Sequence, residues 1–178
     1  MRNRLLWGSL ALVLAAAPAG ARTWNPDPAS QARDYSIITD NRPNHEVAIL
    51  FWLSAPTVGT VSTAQAVLDQ YLIIGAVHGQ FSPAGTADFD SQPVLVASDG
   101  DGKTLKPVLG DAAPPTVQAM LAAFGGVMRQ SMGAVGQGMH LFVFESGNVH
   151  ACSKGKLSVA FAGTTYSYDT PIPGCPKP

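Results

Sequence analysis

The sequence predicts a mainly β domain, an antiparallel β-sandwich or small barrel of about seven strands with one covering α-helix. Three observations carry this. Apolar runs such as Val47–Leu53 and Leu72–Val77 are rich in β-branched and aromatic residues and too short for core helices. Glycine-containing turn signals separate the later runs at hairpin spacing. Only one long stretch, Pro115 to Met132, changes to the helical period. The alternative is an α+β sheet with the helix packed on one side.

The N-terminus is read as a targeting segment. Arg2 and Arg4 precede an apolar run from Leu5 to Ala17, Pro18 breaks it, and Ala19-Gly20-Ala21 fits a small-residue cleavage pattern. The run is shorter than the roughly 20 residues a membrane span needs. Residues 1–21 are therefore read as a signal peptide, 22–44 as an extended leader with prolines at 26 and 28, and 45–178 as a single β-rich domain. Cleavage after Ala21 leaves 157 of the 178 residues, enough for one domain with a core. It also takes the 11 basic side chains to nine against 12 acidic ones, a net charge of −3. No basic cluster remains to neutralise phosphates, so nucleic acid is excluded as a partner, and no membrane span is expected in the mature chain.

Within the domain, Val47–Leu53 predicts a strand buried on both faces. Phe51 and Trp52, adjacent within it, must face opposite sides. Ser62 and Gln65 have capping-box spacing and predict a short helix over 63–70. A second central strand follows in "YLIIGAVHGQF", where Gly75 marks a bulge or a close backbone approach. "PVLVASDGDGKTLKPV" and "MHLFVFESGNVHAC" read as hairpins. "GKLSVAFAGTTYSYDTP" reads as a third, with Leu157, Val159 and Phe161 on one face and a turn at Gly163. In the helical stretch, Val117, Met120, Leu121, Phe124, Met128 and Met132 share one stripe, and Pro115 suits its first turn. Glycines 133, 136 and 138 predict a mobile loop after it.

The two cysteines, Cys152 and Cys175, read as a disulfide in an exported chain. The rival thiolate metal site lacks close C-x-x-C spacing.

Two readings compete for Met128, Met132, Met139 and His140. Thioether sulfur with imidazole suits Cu(I), and Met128 and Met132, four apart, lie on one helix face. Methionine also fills core gaps, and these residues continue the apolar stripe of Leu121 and Phe124. Copper is thus the alternative cofactor, and no cofactor the first expectation. Trp52, Tyr166 and Tyr168 are candidates for a surface that stacks on a partner or ligand. Glu145 and His150 are placed as a surface pair across a turn, and His45 and His78 as a possible second pair.

Asp99-Gly-Asp-Gly-Lys103 fails as a calcium loop, since an EF-hand starting at Asp99 would have Lys103 at its fifth position and Gly110 at its twelfth. No G-x-S-x-G, H-E-x-x-H or phosphate-binding glycine loop is present. The chain is therefore read as an exported, non-enzymatic binding or accessory domain, periplasmic or secreted, that acts on a protein partner or small ligand. The alternatives are a periplasmic copper-binding protein and a hydrolase with an unrecognised site.

Overall fold

The computed structural model describes residues 22–24, 37–39, 45–54, 62–84, 86–172 and 175. The signal-peptide reading of residues 1–21 lies outside them. Seven strands occupy the domain from residue 46 onward: β3 (Glu46–Leu53), β4 (Tyr71–Phe81), β5 (Ala87–Phe89), β6 (Leu95–Ser98), β7 (His140–Glu145), β8 (Gly155–Phe161) and β9 (Thr164–Thr170). Two short strands from the leader, β1 (Arg22–Trp24) and β2 (Ile37–Thr39), precede them. The helices are α1 (Ser62–Gln70), α2 (Pro115–Ser131) and the single turn α3 (Ala134–Gln137).

The strands form two sheets in a sandwich-like arrangement. One has the order β1-β9-β8-β6 and the other β2-β3-β4-β5, with β7 also paired to β4. All pairs are antiparallel except β1, which runs parallel to β9. The centre of the second sheet is β4. It pairs with β3 along one edge, while β7 and β5 share its other edge end to end.

Strand alternation then assigns the faces. Trp52 and Tyr168 meet across the two sheets edge to face, ring centroids 5.9 Å apart. Trp52 is paired with Ile74, which is paired with Phe142, so this row faces the other sheet. Phe51, Gly75 and Leu141 form the adjacent row and face away from it. The outward row is covered by α2, whose Gly125 lies close to Leu141. The molecule thus has three layers, with the β3–β4–β7 sheet in the middle. This is why Val47–Leu53 and Leu72–Val77 lack polar alternation: Leu50, Ile73, Ile74 and Ala76 are fully buried, from both sides of the sheet.

Gly75 makes a close approach of the kind its position predicted. A Cβ there would lie 1.9 Å from the tip of the Phe51 ring, so the aromatic folds over its cross-strand glycine. The β8–β9 hairpin turns at Ala162 and Gly163, with φ of 46° and 72°, the two positive values of a type I′ turn. Leu157, Val159 and Phe161 point inward from β8, as their spacing predicted.

Of two predicted hairpins, the one at Asp99–Lys103 forms briefly, with Ser98 bridged antiparallel to Thr104, before its return arm leaves, and the one after β7 does not form. After β6 the turn at Asp99–Lys103 closes, and the Leu105 N–H donates to the Ala97 carbonyl at 2.8 Å. The return arm then crosses to the other sheet: the Glu145 N–H donates to the Lys106 carbonyl and the Val108 N–H to the Val143 carbonyl. Residues 104–108 therefore strap β6 of one sheet to β7 of the other. The arm after β7 does not pair back on it, because β4 occupies one edge of that strand and residues 106–108 the other. The chain turns through 146–154 and enters β8.

The glycines after α2 serve close packing. A Cβ on Gly136 would lie 2.7 Å from the Arg129 backbone, and one on Gly138 would lie 2.4 Å from the Phe89 ring. These contacts seat α3 against α2 and β5, so the segment predicted to be a mobile loop is a packed turn of helix.

Cys152 and Cys175 are joined in a disulfide, with Cα atoms 5.3 Å apart. Cys152 sits in the turn before β8, and the Ile172 N–H donates to the neighbouring Ala151 carbonyl. A disulfide is the bond expected of an oxidising, exported compartment.

Candidate functional site

The three aromatics read as a stacking surface are in the core. Trp52 is 4 % exposed, Tyr166 0 % and Tyr168 1 %. Each lies on the inward face of its strand, so no partner reaches them without opening the sandwich. Burial, with a smaller contribution from Tyr166, holds the Tyr168 hydroxyl well above the usual phenol range.

The methionines also pack inward. Met139 is buried, and Met128 and Met132 are half-buried against the core. His140 shares the face of Phe142, its ring tilted against that ring at 6.5 Å. Leu141 points the other way, towards α2. The imidazole therefore faces away from the helix that carries Met128 and Met132. Among the described residues, no group of three His, Cys, Asp or Glu side chains is placed to hold a metal ion.

Glu145 pairs with Lys106, at 2.6 Å, and not with His150. The bonded carboxylate raises the Lys106 ammonium above its usual range. His78 faces two carboxylates: Nε2 is 2.5 Å from Glu46 Oε1 and Nδ1 is 3.4 Å from Asp90 Oδ2. A neutral ring donates from one nitrogen only and serves one of them at a time. These contacts tie β3, β4 and the end of β5 together where Phe161 closes over the ring at 6.1 Å. Asp99 is a turn residue, its Oδ1 accepting the N–H groups of Asp101 and Lys103.

Among the described residues, a concavity with the character of a binding site lies where none of these residues is found. It is a cleft of about 610 Å³ between α1 and α2. Alanines 64 and 66 of α1 and 119 and 123 of α2 line it, with Val67, Pro114, Met120 and Phe124. Gln70, Tyr71 and Thr116 supply its polar groups. Local sequence explains the geometry. α1 runs directly into β4, which anchors its last turn, and Val67 is its buried contact. The α2 stripe of Val117, Leu121 and Phe124 faces the core, leaving the small side chains of Ala119 and Ala123 on the flank. Alanines on that flank leave space where longer residues would fill it. This flank of small residues was the sequence signal for the cleft, but the apolar stripe beside it reads as core alone.

No protein-family model, no curated protein and no solved structure matches this chain.

Proposed function

We propose that this protein is an exported, non-enzymatic binding domain, periplasmic or secreted, whose ligand seat is the cleft between α1 and α2. The observation that carries the reading is the cleft itself: about 610 Å³, apolar walls and three polar groups. Small-molecule sites fall at about 300–1,000 Å³, with mostly apolar linings and a few polar groups that orient the ligand. The export reading is supported by the charged and apolar N-terminus and by the disulfide. The absence of a recognised catalytic motif in the sequence favours binding over hydrolysis.

The test is a fluorescence titration of the oxidised mature chain with N-phenyl-1-naphthylamine, a neutral apolar probe. Saturable binding near one probe per chain is expected. Ala119→Trp with Ala123→Trp places two indoles on exposed helix positions in the cleft. That variant should keep its circular dichroism and lose at least about tenfold in probe affinity. Absence of saturable binding, or unchanged binding in the filled variant, would remove the cleft as the ligand seat.

A further inference from the structure

We infer that the occupant of the α1–α2 cleft is an uncharged small amphiphile, a hydrocarbon body with a neutral hydrogen-bonding end, and not a fatty-acid anion or an organic cation. The inference rests on the reading of the cleft as a binding seat and adds the class of ligand.

The argument is charge complementarity. Among the described residues lining the cleft, none is Asp, Glu, Lys, Arg or His. The face of the middle sheet beside it does carry charge, because Tyr71 is the cross-strand partner of Glu145. That carboxylate is already matched by the Lys106 ammonium at 2.6 Å. An anionic head would have to compete with Glu145 for Lys106, and a cationic head with Lys106 for Glu145. Both side chains are more than half exposed, so that contact would be solvent-screened and worth little, while a charged head seated among the apolar lining would lose its own hydration, a cost a neutral head does not meet. The polar groups present suit a neutral head. The Gln70 amide both donates and accepts, as do the hydroxyls of Thr116 and Tyr71. Such a set fits an alcohol or an amide, and offers no paired cationic donors for a carboxylate. The rest of the lining, Val67, Met120, Phe124 and the alanines, takes the hydrocarbon body.

The experiment is displacement of the bound probe by 1-decanol, decanoate and decylammonium, equal in chain length and different in charge, at low and high salt. Decanol should displace at a concentration about tenfold lower than either ion, unchanged by salt, because a neutral ligand has no screened attraction to lose. Equal or tighter displacement by decanoate or decylammonium would overturn the inference and leave the binding seat standing. Displacement by none of the three would also overturn it, with probe binding intact. Failure of the probe itself to bind would remove both. So would a concentration-dependent dimer in sedimentation velocity that Ala119→Glu abolishes, since a second copy would then be what covers the cleft.

Discussion

At the scale of single residues, the inner faces of the strands decide what the aromatic side chains do. Tyr168 carries a hydroxyl into a layer of apolar side chains, and its neighbour Tyr166 is as deeply placed. The pH consequence follows from the raised phenol. In the unfolded chain a tyrosine loses its proton near pH 10. In the folded chain Tyr168 keeps its proton past that point, so above about pH 10 the unfolded state binds fewer protons than the native state. Stability then falls as pH rises. Tyr168→Phe removes this linkage. Its alkaline unfolding curve should be shallower above pH 10 than that of the wild type, whatever the change at neutral pH. Urea melts at several alkaline pH values, followed by tryptophan fluorescence, would show it. Parallel curves for the two proteins would mean that alkaline unfolding is driven elsewhere.

At the scale of elements, α2 shows what was legible and what was not. Its start at Pro115, its apolar stripe, half-buried against the core, and its end near Met132 all follow from local chemistry that a sequence displays. The two buried strands and the β8–β9 turn were legible for the same reason. Pairing beyond a tight turn was not. The arms around Asp99 pair only briefly before the return arm leaves for β7, and the arm after Glu145 does not pair back, because the further partners are set by edges of strands far along the chain. Trp52, Tyr166 and Tyr168 were misread because alternation gives a face without saying whether the face is covered. The cleft was missed because it depends on two helices that meet only in the folded chain. Within α2, adjacent glycines have different surroundings. A Cβ on Gly126 would meet nothing within 4 Å, whereas one on Gly125 would approach Arg129 and Leu141. Gly126→Ala should therefore stabilise the protein by about 0.5–1 kcal/mol through helix propensity and a less flexible unfolded chain. A thermal melt that moved downward instead would indicate that this turn of α2 is not helical in solution.

At the scale of the whole molecule, the two sheets share one core, and the 104–108 strap runs a continuous set of hydrogen bonds from one to the other along one side. The C-terminus is held differently. Beyond β9, Ile172 is buried against the core, and the Cys152–Cys175 bond fastens the chain end to the turn that leads into β8. The loop so closed has a sequence separation of 23. On the chain-entropy account, closing it in the unfolded state stabilises the fold by about 3 kcal/mol. With a urea dependence of about 2 kcal/mol per molar for a protein of this size, that is a midpoint shift of about 1.5 M. Cys152→Ser/Cys175→Ser should unfold at lower urea by about that amount, in a single transition with a slope somewhat steeper than the oxidised protein's, because the open chain exposes more surface. The β8–β9 hairpin lies between the two cysteines, so a denatured state that keeps this hairpin would already be partly closed without the bond. The shift would then be much smaller, and the oxidised and reduced proteins would share one slope. The slope thus separates a disulfide that acts by restraining an open chain from one that adds little to a chain already restrained. Only the first makes the folded population depend on the redox potential of the compartment the protein occupies.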